Sequence, residues 1–166
     1  KGCTLLGSVI INGSVTSIPT EMFYNCNSLT SITIPDSATS IGDNAFYECG
    51  RGDLKTLEIP ASVESIGYAP FYGCTGIDSF TVAAGNTSFK AVDGVLYNYT
   101  GTELVAYPTN KNTEDYQAIE TLTKILPYAF NHVSHLKSFS SNLRNSSIGR
   151  GVRSKQQIKK CEAASF

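Results

Sequence analysis

Apolar and polar positions alternate along the chain in short bursts, and the bursts recur. One burst reads Leu29, Ile32 and Ile34 with Thr30, Ser31 and Thr33 between them, then Pro35, Ser40-Ile41-Gly42, Ala45-Phe46 and Cys49. The next reads Leu54, Leu57, Ile59-Pro60, Val63, Ser65-Ile66-Gly67, Phe71 and Cys74. Cys3, Cys26, Cys49 and Cys74 follow one another by 23, 23 and 25 residues. Phe23, Phe46 and Phe71 step by 23 and 25, and so do Ile18, Ile41 and Ile66. Three columns that share one period and one insertion define an internal repeat. Leu6 and Leu29 lie three residues after their cysteines and Leu54 lies five after Cys49, which places the insertion within Gly50-Arg51-Gly52-Asp53, a turn-forming stretch.

Within a unit, Ile32 and Ile34 share one face of a short strand and Thr33 points away. One such unit cannot bury its own apolar face, so successive units must stack and bury a continuous core between them. Neighbouring strands then lie ~4.8 Å apart in a parallel sheet running along a solenoid. Ala45-Phe46 is expected in a short helical turn on the opposite side. Pro35 and Pro60 end strand pairing and send the chain into a turn. The pattern restarts with Ile77, Phe80 and Val82, then breaks between Gly85 and Asn112. Two apolar runs replace it there, Phe89 to Tyr97 with Asp93-Gly94 inside and Leu104 to Tyr107, with Asn98-Tyr99-Thr100-Gly101 between them. This segment predicts an inserted β-hairpin. The repeat resumes at Leu122, Ile125, Ala129-Phe130, Leu136 and Phe139. A single solenoid domain is therefore expected over residues 1–149, interrupted at about 85–112, with a basic tail outside the repeat at 150–166.

The residues Leu29-x-x-Ile32-x-Ile34-Pro35, Ser40-Ile41-Gly42-x-x-Ala45-Phe46 and Cys49 resemble the BspA-type leucine-rich repeat, known also from treponemal surface proteins. The resemblance covers roughly residues 3–149, and the Phe89 to Pro108 segment looks like a recurrent interruption in that family. It implies a leucine-rich-repeat solenoid with a parallel sheet and short helical or irregular convex turns. It also implies a secreted or surface-displayed protein, usually of bacteria that colonise animals. The function implied is non-enzymatic adhesion or recognition of an extracellular protein or glycan of a host or neighbouring cell, without a cofactor. The alternative is a carbohydrate-binding or purely structural spacer segment of a larger exported protein.

Composition narrows the classes further. The 166 residues carry 13 Lys and Arg against 14 Asp and Glu, a net charge of −1, so no bulk field favours nucleic acid or an anionic membrane. No apolar run approaches the ~20 residues of a membrane helix. Polarity comes from 19 Ser and 16 Thr. The absence of a starting Met and of an apolar leader reads as a mature form or a fragment. After Ile148-Gly149 the repeat calls for Ala-Phe two residues on, and the chain has Arg150-Gly151-Val152-Arg153 instead. The tail that follows is expected to be a divergent cap, a disordered end, or the product of a frame change, since one choice of codons for Val-Arg-Ser, GTG-CGT-TCN, reads Ala-Phe in an overlapping frame.

Candidate chemistry is sparse. The cysteine column reads as a buried stack of thiols, with Val133 in the same column, rather than as disulfides or a zinc site. His132 and His135 sit at a turn without further metal ligands nearby in sequence, and no acid–base constellation is visible. Arg51-Gly52-Asp53 spells an integrin-recognition tripeptide in the one insertion of an otherwise regular unit, where exposure is expected. Four N-x-S/T sequons begin at Asn12, Asn86, Asn98 and Asn145, meaningful only in a eukaryotic secretory protein. The remaining candidate is the exposed strand face, the usual binding surface of a solenoid, carried here by Ser31, Thr33, Thr56, Glu58, Ser79 and Thr81. Aromatic contact residues are expected from the insertion: Phe89, Tyr97, Tyr99, Tyr107 and Tyr116. Uncapped ends of such a solenoid favour end-to-end self-association.

Overall fold

A computed structural model of the chain describes residues 1–143. The expectations for the 150–166 tail lie outside the described residues. The chain winds as a solenoid in which each coil contributes a first strand and a shorter second strand. The first coil carries β1 (Ser8–Ile10) and β2 (Ser17–Ile18), the second β3 (Ser31–Thr33) and β4 (Ser40–Ile41), and the third β5 (Thr56–Ile59) and β6 (Ser65–Ile66). The fourth carries β7 (Ser79–Val82), the insertion strands β8 (Phe89–Val92) and β9 (Val95–Asn98), and β10 (Glu103–Ala106). The fifth carries β11 (Asp115–Gln117) and β12 (Lys124–Ile125), and β13 (Ser138–Ser140) opens the sixth.

First strands pair in parallel with strands 23 residues away: Ser8 lies opposite Ser31, Thr56 opposite Ser79 and Asp115 opposite Ser138. A second parallel row, β2-β4-β6, runs beside the first and is continued further along by β10 with β12. The sequence reading anticipated only the first row. Two-residue Ser-Ile strands are too short to show an alternation, and only their lateral partners make them strands.

The coils are joined by backbone hydrogen bonds at fixed columns. Gly42 N donates to Ile18 O and Gly67 N to Ile41 O, both at 2.8 Å, and Phe46 N donates to Pro70 O at 2.9 Å. The glycine column follows from this approach. A Cβ on Gly42 would sit 2.5 Å from Thr20 N, and one on Gly67 would sit 2.7 Å from Asp43 N. The coil behind leaves no room for a side chain. Many hydroxyls reinforce the joints by donating to carbonyls of the preceding coil: Thr30 to Gly7 at 2.9 Å, Ser37 to Val15 at 2.9 Å, Ser62 to Ala38 at 2.7 Å and Thr123 to Thr102 at 3.1 Å.

The helical turn expected at Ala45-Phe46 is instead an irregular turn, and no helix occurs among the described residues. Two columns of left-handed backbone explain this: Glu21, Asn44, Ala69 and Tyr128 at φ 47 to 62°, and Asn25, Glu48, Gly73 and His132 at φ 51 to 73°. A left-handed residue every fourth position stops α-helical bonding from propagating. The turn still delivers its phenylalanine inward. Phe23, Phe46 and Phe71 stack at centroid distances of 5.4 and 5.9 Å, and Tyr107 stacks on Phe130 at 5.1 Å.

Cys26, Cys49 and Cys74 are buried free thiols, as the column predicts. Each thiol of the later coils donates across the joint, Cys49 Sγ to Phe23 O and Cys74 Sγ to Phe46 O. Cys3 departs from the column and is exposed. Val133 is half-buried.

The insertion is a three-stranded meander rather than one hairpin. β8 and β9 pair antiparallel across Asp93-Gly94, and β9 pairs antiparallel with β10 across residues 99–102. Asp93 and Gly94 have φ of 51 and 76°, the paired positive φ of a type I′ turn, for which Asp-Gly is a preferred sequence. β10 then takes the second-row position of its coil, with Leu126 N donating to Leu104 O as Gly67 N does to Ile41 O.

Two outcomes test this account. Gly42→Ala forces a Cβ into the adjoining coil and should cost about 1–3 kcal/mol, whereas Gly7→Ala, which meets nothing within 4 Å, should leave the urea midpoint nearly unchanged. Burial pushes the Cys49 thiol up to about 12 from an ordinary value of 9.0. The unfolded chain therefore releases this proton near pH 9 while the folded chain keeps it, so stability falls as pH rises from about 9 to about 12. Denaturant titrations across that window should show a shallower fall for Cys49→Ala.

Candidate functional site

The first strands present every second side chain to solvent. Ser8, Ser31, Thr56 and Ser79 form one column and Ile10, Thr33, Glu58 and Thr81 another, held in register by parallel pairing within β1-β3 and within β5-β7. Ser31, Thr33, Thr56, Glu58 and Thr81 are exposed and Ser79 is half-buried. The columns continue through Asp115 and Gln117 of β11 to Ser138 and Ser140 of β13. The sequence reading missed Asp115 and Gln117, because the insertion broke the count along the chain. Their signal was the recovered 23-residue spacing of Tyr116 from Phe139 and of Tyr107 from Phe130.

The face is flat along its ladders and opens where ladders end. β3 and β5 lie side by side in separate ladders, and Thr33, Asp36 and Glu58 line a hollow of about 130 Å³ between them. Ser31, Thr56 and Thr81 stand outside this hollow. A wider opening separates β7 from β11. There the Asp93-Gly94 turn occupies the edge of β7, with Phe80 N donating to Gly94 O at 2.8 Å and Lys111 Nζ to Asp93 O at 2.7 Å. A Cβ on Gly94 would lie 2.8 Å from Ser79 Cβ, so the turn fits this edge only with glycine there. The result is an open polar cleft of about 620 Å³ that includes Ser79 in its lining.

The aromatics of the insertion do not supply a contact surface. Phe89, Tyr97, Tyr107 and Tyr116 are buried, and only Tyr99 of the five is exposed. The Tyr97 and Tyr116 hydroxyls share a buried hydrogen bond of 2.9 Å. Burial, together with Tyr116 nearby, pushes the Tyr107 phenol up to about 12. Tyr97, Tyr107 and Tyr116 fill the second part of the core, and Phe89 joins the first.

An aromatic row lies on the turn side instead. Tyr24, Tyr47 and Tyr72 stack at 4.6 and 4.7 Å with planes within 10° of parallel. Partial burial, with Tyr72 and Tyr24 on either side, raises the Tyr47 phenol above its ordinary range. The row ends where Tyr128 and His132 meet Tyr72 edge-on at 5.5 and 5.3 Å. The fourth coil passes from β10 to Tyr107 without a full turn, so the fifth coil reaches the third. Ring faces within the row cover one another, and Tyr24, Tyr47 and Tyr72 are half-buried.

Arg51, Gly52 and Asp53 are exposed, as their loop position predicts. The Arg51 guanidinium is held by Glu48 at 2.5 Å, and the loop backbone lies against Gly76, where a Cβ would meet Gly50 O at 2.6 Å. His132 and His135 are exposed. Among the described residues no group of three or more His, Cys, Asp or Glu is placed to hold a metal, and no helix is long and apolar enough to cross a membrane.

Comparison with known proteins agrees with this architecture. The chain is similar at 30% identity and TM-score 0.77 to a leucine-rich cell-surface protein of Faecalibacterium prausnitzii, with 88% of this chain and 38% of that one covered. It is similar at 29% identity and TM-score 0.74 to the pneumococcal vaccine antigen PcpA, over 87% of this chain and 36% of that one. A leucine-rich repeat protein of Eubacterium ventriosum shares the fold at 23% identity and TM-score 0.57, over 89% of this chain and 50% of that one. The chain thus spans well under half the length of the first two. A search of curated proteins finds no match. The BspA type leucine rich repeat region matches in six copies over residues 1–110 and 97–165, and the chain therefore belongs to the BspA-type leucine-rich repeat family.

Proposed function

We propose that this chain is a non-enzymatic recognition module of an exported, surface-displayed protein. Its strand face docks an extracellular protein or a cell-surface glycan of a host or neighbouring cell. The observation that carries this reading is the registered array of exposed hydroxyls on first strands, with Ser31 and Thr33 beside Thr56, Glu58 and Thr81. A rigid face of this kind costs little ordering on binding. Family membership supports the reading, since the F. prausnitzii relative is described as a cell-surface protein, and this fold is typically non-enzymatic. The Arg51-Gly52-Asp53 loop is a second candidate contact, favoured by its exposure.

The test is binding of the purified chain to immobilised matrix proteins and to whole cells, with salt varied. A salt-tolerant partner is expected. Thr33→Lys with Thr56→Lys should weaken it about tenfold or more by placing unpaired charge in the interface. Asp53→Glu reads the loop separately, and loss of attachment in that variant alone would move the site there. Binding to no partner, with the fold intact, would leave the spacer reading in its place.

A further inference from the structure

We infer that the cleft between β7 and β11 is a binding site for a short neutral oligosaccharide. The regular ladders leave a surface too flat to enclose a small ligand. Depth appears where the Asp93-Gly94 turn, and not another strand, meets the edge of β7. The opening of about 620 Å³ lies within the ~300–1,000 Å³ of small-molecule sites, and polar side chains share its walls with Tyr116. Ser79, Asp93, Lys111, Thr113, Asp115 and Gln117 line it. Two carboxylates accept only, the ammonium donates only, and two hydroxyls and an amide do both. A ligand that satisfies such a wall must itself be dense in both donors and acceptors. A polyol ring system has that chemistry. An anionic ligand would meet Asp93 and Asp115, and a cationic one would meet Lys111.

The groups are also held in place. Lys111 Nζ is anchored on Asp93 O at 2.7 Å, and the Ser138 hydroxyl donates to Asp115 Oδ1. The Asp93 backbone is fixed in the left-handed region by the type I′ turn. The Asp115 carboxylate and the Lys111 ammonium therefore meet a ligand with less cost of ordering flexible chains. Ser79, Asp115 and Gln117 also belong to the columns of the strand face, but Asp93, Lys111 and Thr113 do not, and Thr33 and Thr56, varied in the macromolecular assay, lie outside the cleft, so the two assays separate the two assignments.

The experiment is NMR titration of the full chain with maltotriose, cellotriose, chitotriose and mannotriose, followed by calorimetry on whichever binds. One of them should shift the backbone amides of Thr113 and Gln117. Asp93→Asn and Asp115→Asn, which keep the shape and the tolerance for positive φ, should each weaken it about tenfold, the scale of losing a hydrogen bond to a charged acceptor. Thr33→Lys, on the strand face, should leave this affinity unchanged. If none of the four shifts those amides, or if both Asn variants bind as tightly as the parent, the assignment is wrong. Shifts of the same amides on adding a trilysine peptide, with no saccharide binding, overturn it in favour of a basic peptide site. Failure of the matrix-protein assay alone leaves the saccharide result standing.

Discussion

Each coil must hydrogen-bond its backbone to the coil behind it, and nearly every side-chain choice follows from that joint. The joint sets a pitch of ~4.8 Å between chains, and nothing bulky fits within it. Glycine stands at positions 42 and 67 because backbone of the preceding coil already occupies the Cβ site. Phenyl rings at Phe23, Phe46 and Phe71 stack because that pitch, with modest offset, suits parallel aromatic rings. The Cys49 and Cys74 thiols are small enough to point inward and still donate to the carbonyl one coil back. The abundance of Ser and Thr has the same origin, since many hydroxyls close the joint from outside rather than addressing a ligand.

The columns that repeat at the joint were legible in the sequence because each obeys one spacing. Cys, Phe and Ile at 23 and 25 residues announce a stack before any geometry is known, and the thiol reading of Cys26, Cys49 and Cys74 follows from it. What resisted reading lies where the spacing breaks. The Phe89 to Tyr107 segment holds two turn sequences, Asp93-Gly94 and Asn98-Tyr99-Thr100-Gly101, either of which can close a hairpin. Sequence alone does not say that both do, nor that β10 then rejoins the second row. Aromatic content there looked like a contact surface, yet Tyr97, Tyr107 and Tyr116 are buried. A meander laid over one coil needs its own core, and large rings fill it. The tyrosine row was hidden for the opposite reason. Tyr24, Tyr47 and Tyr72 follow the same period as their phenylalanine neighbours, but polar-tipped rings at a turn carry no signal that separates stacking from solvent exposure.

Regularity and recognition pull in different directions in such a chain. A ladder of identical joints gives a stiff surface whose side chains repeat, and repetition provides neither depth nor a unique arrangement of donors and acceptors. Departures from the period supply both. The two-residue insertion at 50–53 lies in the stretch of chain where the β1-β3 ladder gives way to β5-β7, with a small hollow between Thr33 and Glu58. The larger insertion parts β7 from β11 and places two carboxylates and an ammonium around one opening.

The larger departure costs little in stability because it is inserted between the two rows, not within either. β7 keeps its partner β5, and β10 finds β12. The edge of β7 that faces the insertion is met by Gly94 O instead of a strand, which covers that edge against pairing with another chain. The residue needed for that contact is glycine for two reasons at once, its positive φ and its approach to Ser79. A turn that seals an edge with one hydrogen bond leaves the space beyond it open. The same Asp-Gly pair that closes the hairpin therefore also makes the cleft.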